Sequence, residues 1–200
     1  MNKTDPKGLY TCGGDQKNCG AVAAAVTAGN EALKSGKLTT KQVEALSKVL
    51  TLLGKAGQAN GVNVTFSDRL IGAGQASIDS KTKDVTITLN DTFAKNYTKG
   101  YPGADARAEQ SALLMHEGQH GVDERAAGRD PVTASEERAT EHNAYSVSSS
   151  VFQGLDAPSR QQLWNPGWPA YFAEPLRNSG IDAATEGSVQ AWCQPRGNCE

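Results

Sequence analysis

The stretch that most constrains this chain is Ala112-Leu113-Leu114-Met115-His116-Glu117-Gly118-Gln119-His120. It reads H-E-x-x-H behind a run of apolar residues. The chain has 200 residues and three histidines, and two of the three stand here, four apart, with a glutamate after the first. On a helix, positions i and i+4 share one face about one turn apart. Two imidazoles so placed can bind a single Zn2+, and Glu117 projects beside the ion, where it can take a proton from water. Leu113 and Leu114 place the motif on a partly buried helix. Two unpartnered imidazoles beside a buried glutamate would be costly there without a metal. His116 and His120 are therefore candidate metal ligands, and Glu117 is the candidate catalytic base.

Composition narrows the classes of partner. The net charge is −2 and 38% of residues are hydrophobic. That balance supports one modest core and gives no electrostatic case for nucleic acid or for an anionic membrane. No stretch approaches the roughly 20 apolar residues that a membrane-spanning helix needs. Ala21 to Ala28 is too short and too weakly apolar, and it lacks the flanks of a signal peptide. Four cysteines lie at the two ends, Cys12 and Cys19, then Cys193 and Cys199. Their spacing is not that of a zinc ribbon. Two local disulfides, or crossed bridges tying the termini together, are the expected use, with free thiols the alternative. Disulfides point to an oxidising destination.

The order of elements indicates an α+β fold. Residues 20–35 are alanine-rich and helical, and Gly36 can cap them. Thr39-x-x-Gln42 reads as a capping box for a second helix, which Gly54 or Gly57 ends. Alternation marks strands at Val62 to Phe66, Gln75 to Asp79 and Val85 to Leu89, expected to form a small antiparallel sheet. The glycine-rich loop at 71–74 lacks the lysine and helix of a phosphate loop and reads as a bend. Asp105 is a plausible N-cap for the motif helix, which Gly128 stops. A capping box at Thr133 and Glu136 opens the next helix, and Gly154 can end it. Residues 157–163 suggest a short helix. The aromatic stretch from Trp164 to Phe172 can either cover a cleft or complete the core, and the tail from Cys193 to Cys199 reads as a clipped loop.

A catalytic zinc site needs a third protein ligand. Helix geometry places Ala144, Val147, Val151 and Leu155 on one face of the second helix, with Glu137 and Glu141 near that face and His142 opposite it. Both glutamates are candidates. Glu141 is preferred because Ala144, one turn on, lets the two helices approach, and Glu137 is the runner-up. Asp123, one turn beyond His120, can steady its imidazole. Tyr145 and Tyr171 are candidate donors to an oxyanion.

The H-E-x-x-H motif resembles that of the zincin metallopeptidases. Its continuation departs from the metzincin branch, because Asp123 and Ala126 stand where that branch has glycine and a third histidine. Glu141-x-x-Ala144-Tyr145 is similar to the segment that follows the motif in gluzincin-like peptidases. The resemblance implies a zincin-like fold, with the sheet and N-terminal helices followed by two packed zinc-binding helices. It also implies a protein or peptide substrate held along an edge strand, with Val85 to Leu89 the candidate strand. A further resemblance lies at Asp5-Pro6-Lys7-Gly8-Leu9. D-P-x-G-L is similar to the end of the core of Rhs-type polymorphic toxins, which is cut after the leucine. It implies that residues 1–9 are a remnant of an Rhs core shell and that residues 10–200 are a metallopeptidase toxin domain. Such a domain is delivered into a target cell and countered by a cognate immunity protein. A zinc amidase acting on cell-wall peptide, and a non-catalytic module stabilised by metal, are the alternatives.

Overall fold

The computed structural model describes residues 10–54, 60–70, 72–93, 95, 103–158 and 178–197. Among them are five α-helices and one small mixed sheet of four strands, an α+β arrangement. Local chemistry sets most boundaries. Helix α1 (Gln16–Lys34) begins where the Asp15 carboxylate accepts the Asn18 N–H at 2.7 Å. Helix α2 (Thr40–Leu53) opens on the expected capping box, Thr39 and Gln42 each accepting the other's backbone N–H, and closes at Gly54. Helix α3 (Ala106–Ala127) carries the motif. Asp105 caps its start, and Gly128 ends it in the left-handed conformation at φ 76°.

The sheet runs β1 (Thr11–Cys12), β2 (Val62–Ser67), β4 (Val85–Asn90), β3 (Gly74–Ile78). It is mixed rather than antiparallel. Strands β1 and β2 pair in parallel, as do β2 and β4, and only the β3–β4 hairpin is antiparallel. Alternating side chains specify which face of a strand is buried, but not the direction of its neighbour. The chain leaves β2, crosses to the far edge as β3 and returns between them as β4. Val85 to Leu89 is therefore an interior strand, and the edges lie at β1 and β3. One sheet face, made of Val62, Val64, Val85, Ile87 and Leu89, is buried in the core. That core also takes residues from α1, α2, α3 and the helix at Ala134–Leu155.

Helix α4 (Ala134–Leu155) follows α3 after a short connection. Thr133 caps it, but the Glu136 carboxylate binds Arg129 and the Val132 N–H, so the expected capping box is only half formed. Gly154 does not end α4. The helix continues to Leu155, and Asp156 turns left-handed instead. Ala157 and Pro158, expected to begin a short helix, are not helical. Helix α5 (Asn178–Cys193), which the sequence pattern did not disclose, lies on α4. It buries Ile181, Thr185 and Val189, and Arg138 of α4 pairs with its Glu186. Cys12 is bonded to Cys19, so this pair is a local bridge and not part of a crossed one. Such a bond is compatible with an oxidising environment. No described helix is long and apolar enough to cross a membrane. Residues 1–9, 159–177 and 198–200, which carry the Asp5–Leu9 turn, Tyr171 and Cys199, lie outside the described residues.

Gly154 has a packing role. A Cβ there would stand 2.7 Å from the Cα, Cβ and carbonyl oxygen of Ala32, so α1 and α4 touch backbone to backbone. Gly154→Ala is expected to lower the unfolding free energy by up to about 2 kcal/mol in urea titrations. Overpacking costs about 1–3 kcal/mol, against about 1 kcal/mol gained in helix propensity.

Candidate metal centre

Helices α3 and α4 run antiparallel, as expected of packed helices joined by a short loop. Near one end of the pair Ser148 Oγ donates to the Ala112 carbonyl, and near the other Asn143 Nδ2 donates to Asp123 Oδ2. Between these contacts His116 and His120 face Glu141. The two Nε2 atoms are 3.2 Å apart. His116 Nε2 lies 3.5 Å from Glu141 Oε2, and His120 Nε2 lies 3.7 Å from Oε1. Ligand atoms of the three residues all fall within 4.8 Å of one another, and no other group of three among the described residues has this property. Glu141 Oε2 is buried without a hydrogen-bond partner. Two imidazoles and an orphaned carboxylate oxygen, converging at this spacing, can hold a metal ion.

Other candidates fall in different places. Glu137 is buried one turn before Glu141 but does not join the group of three. Asp123 accepts hydrogen bonds from Gln119 and Asn143 rather than from the His120 ring. Tyr145 packs edge-on against His116 with ring centroids 4.7 Å apart, and its hydroxyl shares a 2.9 Å hydrogen bond with Ser188 of α5. His142 points away, towards Asp182 of α5 at 3.6 Å.

Three contributors were not identified from the sequence. The first is Gly74, in the loop read as a bend. A Cβ on it would lie 2.5 Å from Glu117 Oε1, so only glycine lets β3 rest on this carboxylate. The second is Glu124, seven residues past Glu117 and so on the same helical face, a periodicity the sequence does display. The third is Ser188, which shares a hydrogen bond with Tyr145 in the cleft and helps to hold the Glu141 carboxyl low. Glu117, Glu124, Glu137 and Glu141 line one cleft of about 1140 Å³, bounded by α3, α4, β3 and α5.

Electrostatics divides this cleft. Burial opposes charge on His116, but its interaction with Glu141 and the charges of Glu117 and Glu141 prevail and raise its pKa. His120 is pushed down to about 4 by burial and by His116 beside it. Burial would raise Glu141, but the two rings and Ser188 hold it below the ordinary carboxylate value. Burial, helped by Glu141 and opposed by His116, lifts Glu117 to about 7. Glu137 also rises to about 7, through burial and the charge of Glu141, with Arg196 opposing. Glu124 rises furthest, to about 8, through burial and then the charges of Asp130, Glu117, Glu137 and Asp123.

No family model, curated protein or solved structure matches this chain.

Two outcomes follow from the geometry. Glu141→Ala is expected to weaken metal binding by more than about 100-fold in a chelator competition titration. That exceeds the roughly 10–100-fold typical of residues that only orient a ligand, while Glu137→Ala stays within a few-fold of the parent. The second concerns metal-free stability. The ordinary pKa of Glu124 is 4.5 and its folded value is about 8. A raised carboxylate contributes stability that is fully present below the lower value and is lost as pH rises through the higher one. Glu124→Gln should therefore flatten the decline in urea midpoint between about pH 5 and about pH 9.

Proposed function

We propose that this domain is a zinc-dependent peptidase in which His116, His120 and Glu141 hold Zn2+ and Glu117 is the catalytic base. Four-coordinate zinc binds nitrogen and oxygen at about 2.0–2.2 Å, which sets neighbouring donors about 3.3–3.6 Å apart. The 3.2 Å between the two Nε2 atoms, and the 3.5 and 3.7 Å from them to the two oxygens of Glu141, lie near that spacing. Three protein ligands leave the fourth position open, as a catalytic site requires. Bound zinc would supply Lewis acidity, lowering the pKa of water and polarising a carbonyl.

The remaining chemistry belongs to the chain. Glu117 takes a proton from the attacking water and passes it to the leaving amine. Burial raises the Glu117 carboxylate towards neutrality, and the charge of a bound ion would favour its ionised, proton-accepting form. The observation that carries the peptidase assignment is the position of β3. It is an edge strand, and its Gly74 lies against Glu117. Ala73 accepts from the Asn90 N–H and Asp79 donates to the Asp84 carbonyl. In an antiparallel ladder of that phase, Gly74, Ala76 and Ile78 turn their N–H and C=O groups away from β4. An extended peptide can add to this edge as a further strand and bring a backbone carbonyl to the metal side of Glu117. Tyr145, against His116 in the same cleft, is the described candidate for stabilising the oxyanion.

The similarity of Asp5 to Leu9 to an Rhs core terminus supports a delivered toxin, for which the cleft would be the natural target of an immunity protein. The Cys12–Cys19 bond suits passage through an oxidising compartment.

Glu117→Gln keeps the shape and removes the base. It should cut peptide hydrolysis by about 100-fold or more while zinc affinity stays within a few-fold. Hydrolysis of a peptide library, measured by mass spectrometry beside zinc content, checks this. Unchanged hydrolysis in the variant would overturn the assignment.

A further inference from the structure

We propose that the end of the cleft beyond the metal centre is a cation subsite, in which Glu124 and Glu137 receive the ammonium or guanidinium group of a lysine or arginine side chain in the bound peptide. The subsite builds on the peptidase proposal and narrows its substrates to basic peptides.

Glu124 is 5% exposed and Glu137 8%, yet both line the cleft. Glu124 Oε2 is buried with no hydrogen-bond partner among the described residues. A buried carboxylate without a partner is costly, and a cation with hydrogen-bond donors is what relieves that cost. Nearby cations are committed elsewhere. The Arg125 guanidinium donates to the carbonyls of Asn60, Gly61 and Lys83. Arg129 pairs with Glu136, and Lys83 Nζ donates to the Gly128 carbonyl at 3.1 Å. Arg196, whose charge reaches Glu137, stacks on Trp192 and donates to its carbonyl. Among the described residues no positive group acts to lower Glu124.

The geometry favours a long side chain over a metal ion. Glu124 and Glu137 belong to no group of three ligand atoms within 4.8 Å. They stand at the end of the cleft towards which β3 runs, since its Gly74 meets Glu117 and its Ile78 N–H donates to Asp130 Oδ1 at 3.2 Å. Glu124 lies seven residues, about 10 Å of helix rise, beyond Glu117. A peptide on the β3 edge advances about 3.3 Å per residue. A residue one or two positions from the scissile bond, with its four-carbon stem lying in the cleft, delivers its charged head between the two glutamates.

The test uses zinc-loaded Glu117→Gln protein and labelled alanine–serine peptides that each carry one lysine, norleucine or glutamate, with binding followed by fluorescence anisotropy. Lysine at one position should bind at least about tenfold tighter than norleucine, which keeps the stem without the charge, and glutamate there should bind weakest. Adding Glu124→Gln and Glu137→Gln should remove the preference without loss of bound zinc. Where that variant does not fold, Glu137→Gln alone should reduce the preference at least about threefold. Equal binding of lysine and norleucine, a preference that survives the substitutions, or no binding of any peptide overturns the subsite. The same peptides offered to the wild-type domain separate the two proposals. Cleavage indifferent to lysine leaves the peptidase and removes the subsite. Selective binding of lysine without cleavage leaves the subsite and removes the peptidase.

Discussion

The α3–α4 pair buries more negative charge than its own positive charge can balance. Glu117, Glu124, Glu137 and Glu141 are each no more than 9% exposed, and among the described residues none has an arginine or lysine salt bridge. Isolated buried carboxylates either find a counter-charge or stay protonated. Glu141 alone has a partner of the right kind, the two imidazoles, and its pKa alone of the four is lowered. The other three are raised. A folded chain can carry such a row when positive charge comes from outside. On the two proposals these charges are a metal ion at one end and a substrate cation at the other.

The row works only because α3 is held on every side. It packs against α1, α2, α4, β3 and β4. Close approach is bought with missing side chains: a Cβ on Gly118 would strike Val49 at 2.5 Å, and one on Gly121 would strike Val85 at 2.7 Å. These two glycines seat α2 and β4 against the helix that carries both histidines, while Gly74 seats the edge strand against its glutamate. Side chains fixed by packing on regular elements keep a site's geometry better than side chains on loops.

What the sequence disclosed and what it withheld divide along physical lines. The motif on α3, the caps at Thr39 and Asp105, and the left-handed stop at Gly128 were legible because each depends on neighbours within a turn or two. Helical phase also brought Glu141 and Glu137 to the inner face of α4, but phase alone could not say which of them meets His116 and His120. That depends on where α3 and α4 touch, at Ala112 with Ser148 and at Asp123 with Asn143. Strand direction was hidden for a similar reason: Val85 to Leu89 alternates equally well at an edge or in the interior. Gly74 looked like a bend because its role is visible only from Glu117, 43 residues later in the chain. Helix α5 was hidden because its buried face is sparse: Ile181, Thr185 and Val189 recur at intervals of four, and the middle one is polar.

The two ends of the acidic row are not independent. Without a metal, His116 is raised and His120 is driven down to about 4, so two rings 3.2 Å apart carry at most one added proton, and one positive charge, near neutral pH. A metal ion replaces that proton with a larger charge, and its field favours the ionised form of Glu117 over the neutral form that burial favours. At the other end, the charge on Glu117 is one of the reasons Glu124 is raised. Electrostatic coupling of this kind is reciprocal. A cation that settles on Glu124 also makes ionisation of Glu117 easier, while a Glu124 forced to ionise without one makes it harder. A basic side chain in the far pocket would then do more than anchor the peptide: it would help keep the catalytic base charged while the scissile carbonyl lies beside it.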